Sequence, residues 1–194
     1  CSICLHSLND TFLMDAWGNK FHPKHKNDGV FCNSCSRIIS QGITKGGYKY
    51  TDGRYLCSLC QLSIVENEST IQSAYQSVIK QINFIGLKNI PPNIPIKLVN
   101  LTDLNAKKGG KSHGNLKGLT HQYYNEDNQL QYEIFILFGL PKIEFEAVLA
   151  HELFHIWLYK NQNPVTISFV EAFCNLGSAI IYENNNTHFS QIHL

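Results

Sequence analysis

The stretch "LAHELFHIWL", residues 149–158, carries the residue types that metal-assisted hydrolysis needs. His151 and His155 are four apart, with Glu152 directly after the first. On a helix that spacing sets two imidazoles one turn apart on one face, where both reach a single zinc ion. Glu152, turned about 100 degrees from His151, meets a water at the metal as a general base without ligating it. The same three positions also suit a buried helix with two core histidines and an ordinary glutamate, so a third ligand must decide. Leu158 and Asn161 stand where the extended metzincin motif requires Gly and His, which excludes that class. Glu171, sixteen residues beyond His155, lies on the next predicted helix and would complete a His2Glu set with water in the fourth position. Ser168-x-x-Glu171 equally fits a capping box, with Glu171 folded back on the cap. Asn175 shares the Glu171 face, either orienting a ligating histidine or serving as a plain polar helix position.

A second set of donors fills the N-terminal third. Cys1, Cys4, Cys32, Cys35, Cys57 and Cys60 form three C-x2-C pairs within sixty residues, and His22-x2-His25 makes a fourth pair. Such close cysteines suit one tetrahedral zinc better than strained disulfide rings. Eight donors are the number two zinc sites need; one zinc plus two unrelated histidines is the alternative. Seventeen residues separate Cys4 from His22, and twenty-one separate Cys35 from Cys57. This order, with "WGNKFH" around Trp17 and "YTDGRYLC" running into Cys57, resembles a LIM domain. By that resemblance Cys1, Cys4, His22 and His25 hold one structural zinc and Cys32, Cys35, Cys57 and Cys60 the other. His25 stands where the family usually has cysteine. The six-residue spacer "KNDGVF" after it is longer than the LIM pattern and offers Asp28 as a substitute ligand.

These groups have to be positioned by two different kinds of chain. Up to about residue 62 the sequence is short-segmented and rich in Gly, Asn and Ser. Beyond it, 64–85 shows apolar residues at near-helical spacing. "NIPPNIP" breaks that helix, and "IKLVNL" reads as a strand. Residues 105–118 read as a Gly/Lys-rich loop. "LTHQYY" and "LQYEIFILF" read as a hairpin. Pro141 opens a helix over 142–160 that "NQNP" closes, and a last helix runs over 168–182. The strand at 131–138 is placed either at a sheet edge, where an extended substrate would pair, or inside the sheet. His121, Tyr123 and Tyr124 are oxyanion-donor candidates by type alone. Cys174 reads as a small core residue, and His6, His113, His188 and His193 carry no ligand spacing.

Composition excludes several partners. A net charge of +1 with 16% charged residues gives no basic field for nucleic acid or an anionic membrane. No apolar run of eighteen residues exists, and the first residues are not a charged-then-apolar leader, so a cytoplasmic protein is expected.

The zinc module, "GLP", "VLAHELFHIWL" and "VEAFCNLGSA" together resemble the LIM-containing metallopeptidases of the plant DA-one growth-regulator type and their bacterial relatives. Those pair a LIM domain with a gluzincin-like peptidase carrying H-E-x-x-H and a downstream E-G-x-C element, here "EAFC" with Ala172 for Gly. The resemblance implies an α+β fold: a small zinc-ribbon LIM-like module at 1–62, then a zincin-like domain at 63–194 with a short antiparallel sheet packed on the H-E-x-x-H helix and following helices. It implies one catalytic zinc on His151, His155 and Glu171 with Glu152 as base, two structural zincs, and a protein or peptide substrate. The LIM-like module would bind the substrate or a protein partner, or regulate the peptidase. A non-catalytic adaptor with a degenerate peptidase fold is the alternative.

Overall fold

The computed structural model describes residues 1–9, 11–110, 116–161 and 166–194. These fall into two compact units, Cys1–Ile64 and Val65–Leu194.

The first unit has little apolar sequence, and its elements are correspondingly short. Strand β1 (Leu13–Met14) pairs antiparallel with β2 (Lys20–Phe21). Helical turns α1 (His25–Asp28) and α2 (Gln41–Thr44) precede a second antiparallel pair, β3 (Gly47–Lys49) with β4 (Tyr55–Cys57), which runs into α3 (Ser58–Gln61). Two C-x2-C turns share one backbone geometry. The amide of Leu5 donates to the Cys1 carbonyl at 3.0 Å and that of Ser36 to the Cys32 carbonyl at 2.9 Å. Both Leu5 and Ser36 have positive φ, 62° and 58°, so each chain folds back on itself with its two thiols on the same side. The buried Asp15 carboxylate ties the strands to the turns, accepting from the amides of Trp17, Asn19 and Ile38. Polar wiring of this kind replaces the core that so few apolar side chains cannot build.

The second unit starts with α4 (Glu68–Phe84), whose Asn67–Thr70 capping box fixes its start. Strand β5 (Ile96–Val99) follows, then α5 (Leu101–Lys107), β6 (Gly118–Tyr124), β7 (Leu130–Leu137), α6 (Lys142–Asn161), α7 (Ile167–Asn185) and α8 (His188–His193). Helix α6 is the centre of the core. Phe145, Leu149, Ala150, Leu153 and Ile156 on it are fully buried, and it packs against α4, α7, β6 and β7. A helix apolar nearly all round must be enclosed in this way. Gly177 lets α7 come close: a Cβ there would sit 3.0 Å from the Ala150 carbonyl oxygen and from Phe154. No helix among the described residues is long and apolar enough to cross a membrane.

Two sequence expectations change, and two open alternatives are decided. The sheet is mixed rather than antiparallel: its order is β5-β7-β6, with β6 antiparallel and β5 parallel to β7, because the chain between β5 and β7 crosses over through α5 and β6. Strand β7 is consequently internal and buried, and the edge beside α6 belongs to β6. The segment read as the end of a strand and the start of a loop forms α5, nucleated by the Asn100 side chain accepting from the Asp103 amide at 2.8 Å; residues 111–115 of that loop, His113 included, lie outside the described residues, as do 162–165 of the "NQNP" break. Helix α7 is capped by Thr166, which accepts from the Phe169 amide at 3.3 Å, so Glu171 lies inside the helix and is not the partner of a Ser168 cap.

Candidate metal centres

In the first unit, Cys32 and Cys35 come from one tight turn, Cys57 from the end of β4, and Cys60 from α3. All four are buried, and their sulfur atoms lie within 4.8 Å of one another. None of the seven cysteines is in a disulfide. The Cys35 and Cys57 sulfurs are 3.8 Å apart, which matches the edge of a tetrahedron with bonds of about 2.3 Å. In the metal-free cluster the thiols share protons unevenly. Hydrogen bonding to Cys35 holds Cys32 down at about 6, while hydrogen bonding to Cys32 lowers Cys57 and raises Cys60. Four thiols packed this closely without bonding covalently suit a cation that takes their protons' place.

Cys1, Cys4, His22 and His25 form a second cluster of the same span. The Nδ1 atom of His22 lies 3.4 Å from the Cys4 sulfur, while its Nε2 meets the Ser7 carbonyl at 2.9 Å. His25 is turned the other way. Its Nδ1 is 2.8 Å from Asp28 Oδ1, and its buried Nε2 has no hydrogen-bond partner. Asp28, expected as a substitute ligand, instead fixes the ring of His25, as a carboxylate does for a ligating histidine. An orphaned buried ring nitrogen facing a thiol pair has the chemistry of a vacant ligand.

In the second unit, α6 sets the Nε2 atoms of His151 and His155 3.1 Å apart. That is near the separation of about 3.4 Å expected between two nitrogens on one zinc. Helix α7 brings Glu171 against them, its carboxylate oxygens 3.6 Å from His151 and 3.8 Å from His155. The Asn175 side chain lines the same cavity as the His151 ring and favours its protonated form. Burial lowers His151 and pushes His155 down to about 4, with the His151 ring adding to the second shift. Both rings are therefore neutral near pH 7 and present lone pairs to a common point. Glu152 is buried, and burial pushes its carboxyl up to about 7 against the opposing hydrogen bond from Thr120. A carboxyl that titrates near neutrality is suited to taking and returning a proton.

These groups line a cavity of about 410 Å³ together with Lys108, Thr120 and Tyr159. Its floor contains contacts the sequence did not reveal. The Thr120 hydroxyl of β6 donates to Glu152 Oε2 at 2.7 Å. Gly118, two residues earlier on the strand, approaches so closely that a Cβ would overlap Glu152 Oε1. Cys174 is also placed unexpectedly. It is fully buried, and burial pushes its thiol up to about 12, yet its sulfur lies within 4.8 Å of donor nitrogens of His151 and His155. Its spacing of three from Glu171 was the available signal, since i and i+3 share a helix face. His121 instead stacks on Tyr123 and meets Glu133 on β7 at 3.1 Å, and neither it nor Tyr123 nor Tyr124 lines the cavity.

The sequence profile of the DA1-like family (Protein DA1) matches residues 104–190, the segment that carries β6, β7, α6 and α7. Among curated proteins the chain is 27% identical to Protein DA1-related 2 of Arabidopsis thaliana, over 84% of this chain and 39% of that protein. It is 26% identical to LIM domain-containing protein HDR3 of Oryza sativa subsp. japonica, over 95% of this chain and 44% of that one. It is 24% identical to Protein DA1 of Arabidopsis thaliana, over 81% and 36%. The chain thus spans less than half the length of these relatives. No solved structure matches it. The chain is similar to DA1-like proteins in its helical unit and, across most of its length, to a LIM domain-containing relative.

Proposed function

We propose that this chain is a zinc-dependent endopeptidase acting on protein substrates, with the Cys/His module serving partner or substrate binding. The observation that carries the reading is the convergence of His151, His155 and Glu171 beside the buried Glu152 at one cavity. In this reading His151, His155 and Glu171 hold one zinc; Cys1, Cys4, His22 and His25 hold a second; Cys32, Cys35, Cys57 and Cys60 hold a third. A zinc ion on the two histidines would supply Lewis acidity and a more acidic water. Glu152 takes the proton of the attacking water on its carboxylate and returns it to the leaving amine. Asn175 keeps the His151 ring in its ligating orientation. Among the described residues strand β6 pairs only with β7, and its other edge accepts an extended peptide as an added strand, laying the scissile bond along the Glu152 side of the cavity.

The test compares wild type with Glu152→Gln on unfolded casein, with bound zinc measured in both. The expected result is a loss of cleavage of roughly 10²- to 10⁴-fold, the usual worth of a positioned general base, with zinc content unchanged. Equal cleavage by the two proteins would show that Glu152 is not the base.

A further inference from the structure

We propose that Cys174 is a fourth protein donor to the His151–His155 metal centre, so that the site exchanges between an open form carrying water and a closed form in which the Cys174 sulfur takes the water's place. The proposal rests on the metal centre described under Proposed function. Cys174 is not an isolated thiol: its sulfur and donor nitrogens of His151 and His155 lie within 4.8 Å of one another, in a fully buried position. A sulfur and a nitrogen on one zinc stand about 3.5 Å apart, so from the 4.8 Å limit at most about 1.3 Å of movement separates the two arrangements. Rotation about one side-chain bond of cysteine covers that distance. His155 is itself nine-tenths buried, and its Nδ1 has no hydrogen-bond partner among the described residues. Nothing on that ring nitrogen therefore pins the imidazole in one orientation, which leaves it free to follow the metal.

Helix α7 supplies both the third and the fourth protein donor from one face. Glu171 is more than half exposed and approaches from the cavity side, whereas Cys174, three residues on, approaches from the core. On closing, Cys174 gives up its proton to solvent, its sulfur bonds the metal, and one water leaves; opening is the reverse. With the Glu171 carboxylate kept in both forms, the Cys174 thiolate and the water compete for the fourth position. Four protein ligands are the mark of a structural zinc, three plus water that of a catalytic one. Cys174 would thus decide which of the two this centre is at a given moment.

The test is cadmium NMR on the fully loaded chain, in which each site gives one resonance whose position reports how many sulfurs bind the metal. Three resonances are expected. One should fall at the position of a site with a single sulfur, and it alone should move upfield in Cys174→Ser. A third resonance at the position of a sulfur-free site, or one unmoved in Cys174→Ser, overturns the proposal. Only two resonances in the wild type would overturn the metal centre itself and this proposal with it. Because the wild-type position is decisive, the result stands even if Cys174→Ser fails to fold. Cobalt loading checks that the soft cadmium ion has not created the bond. With seven cysteines in the chain, Cys174→Ser should remove up to about one-seventh of the sulfur-to-cobalt absorption, in proportion to the closed form, and unchanged absorption contradicts the proposal.

Discussion

The two units gather metal-binding side chains by opposite means. Among the described residues of Cys1–Ile64 the only buried apolar side chains besides cysteines are Phe21, Ile38 and Leu56, and two donor clusters sit where a core would be. Among the described residues of Val65–Leu194 a cluster of twenty-four buried residues is centred on α6, and all but Cys174 are core side chains with no part in the proposed metal centre. The first unit is therefore held by its donors, and the second holds its donors in place. Metal binding should be folding energy in one unit and an added function in the other.

Chelation should separate the two most sharply. Structural zinc contributes roughly 10–16 kcal/mol in small zinc peptides, far more than three apolar side chains provide. Removing metal, or introducing Cys57→Ser, should abolish amide-exchange protection in β3 and β4 while α6 and β7 remain protected. Equal loss in both units would erase the distinction. The converse substitution is Leu149→Ala, at a fully buried α6 position. It should cost about 2–5 kcal/mol in the stability of the second unit, read by denaturant unfolding followed through α6, while metal content of the cysteine clusters stays constant.

A smaller effect comes from Glu152. Its folded pKa is raised from an ordinary 4.5 to about 7, so between those values the native state keeps a proton that the unfolded chain has lost. Stability is intact below about pH 4.5 and falls as pH rises through the window. In metal-free protein Glu152→Gln should thus stabilise the second unit at about pH 8 by about 3 kcal/mol and leave it unchanged at about pH 4. A stabilisation equal at both pH values would mean that the carboxylate is not the cause. The smallest expected change is at a cap. Asn67→Ala removes the side chain that accepts from the Thr70 amide at 3.0 Å and should cost about 1 kcal/mol, seen in the second unit's unfolding midpoint and not in the first unit's metal content.

What could be read from the sequence follows the same division. The cysteine pairs were legible because their chemistry is local: a C-x2-C turn brings its own two thiols together whatever surrounds it. The His151–Glu152–His155 helix was legible because it is long, is bounded by Pro141 and "NQNP", and carries its two histidines four apart. The position of β7 was not, since strand order depends on pairing partners far apart in sequence, and nothing within "LQYEIFILF" tells a central strand from an edge. Thr120 and Gly118 were invisible for the same reason, because their contact with Glu152 exists only once β6 lies against α6. At Glu171 two local signals competed. Thr166 and Ser168 are both good caps, and the earlier one is used, which frees the Glu171 side chain to reach the histidines. Helix α5 could have been found from Asn100 and Asp103, a cap pair that the lysines and glycines after it obscured.

The central claim is that the second unit holds a metal of its own, on His151 and His155. Zinc stoichiometry of the purified chain tests it most directly. The account predicts three ions per chain in the wild type and two in the double variant His151→Ala/His155→Ala, with the cysteine clusters still loaded. Two ions in both proteins would contradict it.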